Sequence, residues 1–173
     1  MKRFLLFILM AASSMIGCCQ AIKSVAILEV VDKANQLEYG QKLMIRSGLC
    51  RAITNTKGYE AFDRTDIDAI MSEHDFQRTG LVSADQIKAI GEMTGAAYVL
   101  VAEGVLMDGG IYLTAKILNV ETTKVEVTDY EQLKDAKAAS IQSGCQKLAR
   151  KMFGALAGSS TSTNKFMGIF QQK

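Results

Sequence analysis

Glu73-His74-Asp75 sets three titratable side chains in a row, and His74 is the sequence's one histidine. Metal binding or acid–base chemistry would need these groups to converge on one point. Consecutive residues on a helix point in different directions, so the triplet reads as a solvated helix end. Ser83 finds no histidine besides His74 to activate it as a nucleophile. With Ala84-Asp85-Gln86 it has capping-box spacing instead, the serine and glutamine side chains satisfying opposite backbone donors at a helix start. Asp63, Asp66 and Asp68 are acidic neighbours without the glycine and terminal glutamate of a calcium loop. Gly91 and Gly95 have small-xxx-small spacing, but they sit in a soluble helix end rather than an apolar span, and Gly95 reads as a C-cap. These spacings assign no catalytic, cofactor-binding or metal-ligating residue.

Cysteine chemistry depends on where the chain is cut. Lys2 and Arg3 precede an apolar run from Phe4 to Met10 that continues through small residues to Gly17, the pattern of a secretory signal peptide over residues 1–21. The run is too short and too weakly flanked for a stable membrane span. Cys19-Gln20-Ala21 is a small-x-small cleavage site, which favours ordinary processing after Ala21. The rival reading takes Met15-Ile16-Gly17-Cys18 as a lipobox and makes Cys18 a lipidated N-terminus, although Met15 departs from the usual leucine. After cleavage at Ala21, Cys50 and Cys145 survive, and an even pair in an oxidising compartment invites a disulfide. Helical spacing offers the alternative of two separate core thiols, with Cys145 on a face with Ile141, Leu148 and Met152, and Cys50 beside the face of Ile45, Leu49, Ala52 and Ile53.

Composition narrows the class. Residues 22–157 are long enough for one domain with its own core. The formal charge of +2 includes Lys2 and Arg3, so the processed chain is close to neutral, and binding of nucleic acid through a broad basic field is disfavoured. The sequence has no proline, which leaves its turns to Gly, Asn and Asp, and its low aromatic content argues against a stacking platform for bases or sugars.

The elements that must position any site follow from hydrophobic period. Ser24 to Val31 is short, apolar and β-branched, suited to a buried strand. Apolar positions from Tyr39 to Thr56 recur at three and four, predicting a helix stopped by Lys57-Gly58. Tyr59 to Arg64 alternates as a short strand, a helix capped at Thr65 or Asp66 runs to His74, and a further helix runs from Ser83 to Thr94. Ala96 to Met107 and Ile111 to Val120 form a hairpin about Asp108-Gly109-Gly110. Glu121-Thr122-Thr123 turns into a strand from Lys124 to Leu133, where Val125 and Val127 alternate with charged neighbours. A last helix spans Ala136 to Ala155 and packs on the sheet. Residues 158–173 then read as a flexible tail with an apolar end at Phe166, Met167, Ile169 and Phe170. The expected fold is a single α/β domain, with a mixed sheet of about five strands ending in an antiparallel meander, and about four helices.

Three stretches carry a resemblance: Ser24 to Glu29 (SVAILE), Asp63 to Gly80 (DRTDIDAIMSEHDFQRTG) and Ile90 to Gly104 (IGEMTGAAYVLVAEG). Together with the element order they resemble the CsgG family of curli assembly and transport components, including its LpoB-like activators of penicillin-binding proteins. The similarity spans about Lys23 to Ala155. It implies an exported, non-enzymatic domain without cofactors, in the periplasm and tethered to the outer membrane if Cys18 is lipidated, working through an envelope protein partner or its own copies. The channel members carry long amphipathic hairpins, and a membrane strand needs about nine to eleven residues. Here Met107 to Ile111 closes tightly and Val101, Leu106, Leu113 and Leu118 are required in the core, so no segment remains for a pore. Phe76, Gln77, Arg78, Thr79 and Leu81 lie between two helices, where loops present binding groups. Aromatic and arginine side chains are enriched at contact hot spots, whereas Phe76 equally suits a plug for the core beneath. An exported enzyme or small-ligand binder, its site assembled at strand ends, is the reading of another class.

Overall fold

The computed structural model describes residues 21–28, 30–62 and 83–167, with side chains through residue 158. The strand-like runs become β1 (Lys23–Ile27), β2 (Tyr59–Phe62), β3 (Tyr98–Met107), β4 (Gly110–Asn119) and β5 (Val125–Leu133). The longer amphipathic runs become α1 (Tyr39–Thr54), α2 (Ala84–Thr94) and α3 (Ala138–Met167). One five-stranded sheet has the order β2-β1-β3-β4-β5. β1 runs parallel to β2 and β3, while β3, β4 and β5 form the antiparallel meander. The expected mixed α/β domain is therefore present, with three helices among the described residues. The helix expected from Thr65 to His74, the loop residues Phe76, Gln77, Arg78, Thr79 and Leu81, and Cys18 with the leader lie outside those residues.

Both faces of the sheet carry helices, unequally. α1 and α3 cover one face through Ile45, Leu49, Ile53, Ile141, Leu148, Met152 and Phe153, packed on Val25, Ile27, Leu100, Leu113 and Ile117. On the opposite face α2 places Ile87 and Ile90 against Ala26, Val99, Val101 and Leu118. β3 is consequently buried on both sides from Tyr98 to Ala102, which explains its unbroken apolar sequence. The α2 caps follow the sequence: Gln86 N–H donates to Ser83 Oγ at 3.2 Å, Ser83 N–H donates to Gln86 Oε1 at 2.8 Å, and Gly95 ends the helix at φ 68°.

β1 is shorter than its apolar run. Leu28 N–H donates to the Leu100 carbonyl and Val31 N–H to the Ala102 carbonyl, so this chain advances three residues while β3 advances two. The extra residue reverses the side-chain alternation. Val30 thereby joins the core under α1 and α3, and Val31 packs on the α2 side. A second slip lies between Ile117 and Leu118, where β4 pairs with Val127 and then Val125. Val127 packs on the core but Val125 emerges on the other face, 52% exposed. The two valines, expected to share one face, are separated by that bulge.

α1 and α3 meet where Gly48 faces Cys145. A Cβ at Gly48 would lie 3.1 Å from Cys145 Sγ and 3.2 Å from its Cβ. The helices approach closely because no side chain stands between them. The last core residue of α3 is Leu156, but the helix does not end near Ala155 as its apolar period suggests. Its backbone stays helical to Met167, through residues expected to begin a flexible tail. The sequence contains no proline, and Gly158 costs a helix interior only about 1 kcal/mol, so a nucleated ladder propagates past its packed face.

The loop from β1 to α1 is closed by Asp32. Its side chain is fully buried; Oδ2 accepts the Leu37 N–H at 2.7 Å and lies 3.5 Å from Lys42 Nζ. Burial opposes its ionisation, but the Leu37 and Gln36 backbone donors and Lys42 outweigh it and hold its pKa below the ordinary carboxylate value. Leu37 is thereby set into the core against Gly104, where a Cβ would come within 2.7 Å of Leu37 Cδ1.

Two outcomes test these arrangements. Gly48→Ala should lower stability in chemical unfolding by about 1–3 kcal/mol, overpacking the α1–α3 contact by more than the better helix propensity of alanine returns. Because folding lowers the Asp32 pKa, its contribution is complete above the unfolded value of about 4 and disappears as pH falls below it through the folded value. Thermal unfolding against pH should show that acid loss in the native chain, and Asp32→Asn should flatten it while costing about 1–3 kcal/mol at neutral pH.

Candidate protein-contact surface

α2 is short, and its contacts reach β1, the first half of β3 and Leu118. Strand alternation places Val105, Met107, Tyr112, Thr114, Lys116, Thr128, Tyr130 and Gln132 on this same side of the sheet, beyond that helix. Among the described residues nothing packs over them. Met107 is 51% and Tyr130 52% exposed, Val125 emerges farther along β5 opposite Leu118, and Tyr112 and Val105 are half-buried. The opposite side of the same strands is core, with Ile111, Leu113, Ala115 and Ile117 fully buried.

The two tyrosines are ordered by each other. Tyr112 stands opposite Gln132 and Tyr130 opposite Thr114, so the rings meet on the diagonal of the β4–β5 pair. Their centroids are 4.9 Å apart with planes 22° from parallel, a stacked arrangement in which each ring packs on the other. Lys151 of α3 lies 5.9 Å from the Tyr130 ring centre. Thr114, Thr128 and Gln132 ring the aromatic pair with neutral hydrogen-bonding groups, while Lys116 adds one exposed cation. This combination of rigid aromatic anchors, flexible methionine and polar rim suits contact with another macromolecule.

The β3–β4 turn keeps this surface compact. Asp108 and Gly109 have φ of 51° and 77°, the left-handed pair of a two-residue hairpin turn, for which Asp-Gly is a favoured sequence. At Gly110 a Cβ would lie within 2.1 Å of the Leu133 carbonyl oxygen, so β4 and β5 close there without room for a side chain.

The other sequence candidates among the described residues take structural roles, and Glu73-His74-Asp75 and Asp63, Asp66 and Asp68 lie outside them. Ser83 is a helix cap. Gly91, paired on sequence with Gly95, is instead a packing position, since a Cβ there would meet Val120 Cγ1 at 2.1 Å. Cys50 and Cys145 are not bridged. Cys145 is fully buried, donates weakly to the Ile45 carbonyl at 3.5 Å, and burial pushes its thiol up to about 12. No group of three or more His, Cys, Asp or Glu side chains gathers in metal-binding fashion among the described residues. No described helix is long and apolar enough to cross a membrane. Spacing alone missed the Tyr112–Tyr130 pair, because the tyrosines sit on different strands and only the register joins them. A signal was nevertheless present: Tyr112, Thr114 and Lys116 are the polar phase of β4, and Tyr130 is a large aromatic in the outward phase of β5.

No family model matches the sequence, and no curated protein matches it. Among solved structures the fold is similar to the LpoB C-terminal domain from Salmonella enterica, with TM-score 0.53 and 14% identity, over 66% of this chain and 84% of that one. It is similar to the LpoB C-terminal domain from Escherichia coli, with TM-score 0.53 and 13% identity, over 73% and 93%. It also resembles lipoprotein GNA1162 from Neisseria meningitidis, with TM-score 0.51 and 9% identity, over 65% and 80%. At these identities the likeness establishes a shared fold, and function has to be argued from the surface.

The thiol environment makes a direct prediction. Cys145 should stay unmodified by an aqueous thiol reagent at neutral pH while the chain is folded and react once it is denatured. Mass mapping of the labelled peptide measures this, and rapid labelling of Cys145 in the native state would contradict the buried position.

Proposed function

We infer that the chain is an exported accessory module of the bacterial cell envelope, of the LpoB-like kind, acting by protein contact through the open β4–β5 face. The observation that carries this reading is the Tyr112–Tyr130 stack, which lies near Met107 on the side of the sheet opposite the packed core. Such a surface presents area and preordered aromatic anchors, at little entropic cost to a partner. The shared fold with the LpoB domains and with a lipoprotein supports the activator reading over curli transport. So does the two-residue β3–β4 turn, whose strands are committed to the core. The partner class that fits is a peptidoglycan-synthesising penicillin-binding protein, met in the periplasm by a module that is either processed at Ala21 or tethered through Cys18.

A photo-crosslinking residue at position 130, activated in intact envelope and followed by mass spectrometry, should capture a peptidoglycan synthase. The same residue at Lys88, on the outer side of α2, should not. Capture of curli-secretion components alone at position 130 would return the reading to transport, and equal labelling from both positions would remove the contact surface. With the captured partner purified, Tyr130→Ala should weaken binding by about 30-fold, the loss of about 2 kcal/mol typical of a hot spot.

A further inference from the structure

Among the described residues β5 is an edge strand, and an edge strand of this length offers unpaired backbone groups to any chain that can extend the sheet. Its central outward position is closed. Tyr130 N–H donates to Asp129 Oδ1 at 2.7 Å, and the Tyr130 carbonyl accepts from Lys151 Nζ at 3.1 Å. Both backbone groups of Tyr130 therefore point away from β4 and are occupied by side chains. Lys151 is itself held in place by Glu131 Oε2 at 2.6 Å, and Lys147, one helical turn earlier, lies 3.6 Å from the other Glu131 oxygen. The residues in phase with Tyr130, Thr128 and Gln132, have exposed side chains. Among the described residues their outward backbone groups have no comparable partner.

We propose that Asp129 and Lys151 form a guard that closes β5 to strand addition, and that the chain it excludes is a second copy of β5. The geometry is self-complementary. An antiparallel β5–β5 pair centred on Tyr130 would set Thr128 of one copy against Gln132 of the other, and each Tyr130 would exchange with its twin the two hydrogen bonds now made to Asp129 and Lys151. The same register would bring Asp129 of one copy opposite Glu131 of the other, so Asp129 adds like-charge repulsion to its cap on the N–H. The guard also bears on how the open face is used. A partner reaches Tyr112 and Tyr130 across the sheet face and not by lengthening the sheet. This inference rests only on the edge geometry and stands or falls apart from the identity of that partner.

The test is sedimentation velocity over a range of concentrations on the chain from Ile22, as the native sequence, as Asp129→Ala/Lys151→Ala, and as the latter with Thr128→Pro. The double variant removes both caps and the like charge while Lys147 still faces Glu131. It should form a dimer at concentrations where the native chain does not pair through β5. Thr128→Pro, which removes an outward N–H that β4 does not use, should reverse the association. Each single replacement should associate more weakly than the double. Circular dichroism confirms that every variant is folded, and Asp129→Leu/Lys151→Met, which keeps side-chain volume while removing the acceptor and the donor, repeats the test if the alanine pair unfolds. The proposal is overturned if the folded double variant sediments as the native chain does, if Thr128→Pro leaves its dimer intact, or if the native chain already pairs through β5.

Discussion

The close approach of α1 to α3 at Gly48 and Cys145 is the contact on which the rest of the structure depends. With hydrogen at Gly48 and a thiol opposite, the two helices sit side by side and together cover one whole face of the sheet. That packing commits the inward phase of all five strands. A bulkier pair at the crossing would press the helices apart, since a Cβ at Gly48 already stands 3.1 Å from Cys145 Sγ. Burial then holds Cys145 as a protonated thiol, so the residue most suited to chemistry is spent on packing.

The opposite face follows from what remains. Among the described residues one short helix, α2, covers β1 and half of β3, and the meander extends past it. Among the described residues the outer side of β4 and β5 is therefore exposed through unequal helix cover rather than through unusual hydrophobicity. The bulge between Ile117 and Leu118 adds to it by turning Val125 outward. The bulge after β1 acts in the reverse sense and recovers Val30 for the core. An apolar face and a sticky edge are adjacent hazards in such a sheet. Among the described residues the face stays uncovered, while Asp129 and Lys151 occupy the backbone groups at the centre of the edge, which discourages filament-like pairing.

Local sequence recorded much of this. The face of Ile45, Leu49, Ala52 and Ile53, the inward line of Ile141, Cys145, Leu148 and Met152, the Ser83 cap and the Asp108-Gly109 hairpin were all legible, because each depends on neighbours within a turn or two. The end of α3 was not. Apolar periodicity marks where a helix is packed, and the helical backbone here outlasts its packed face. The facing of Val125 was also hidden, since an alternating pattern reads the same whichever face it serves and only the bulge opposite Leu118 sets its sense.

The candidate surface shows the division between the two levels. Sequence by itself determined the types of the described elements, the turns and the core phase of β3 and β4, because period, capping and turn chemistry act over a few residues. Only tertiary structure decided that Tyr112 and Tyr130 stack, that Lys151 reaches the Tyr130 carbonyl, and that β5 rather than β4 is an edge. Those facts depend on register and strand order, set by residues far apart in the chain packing against the same two helices.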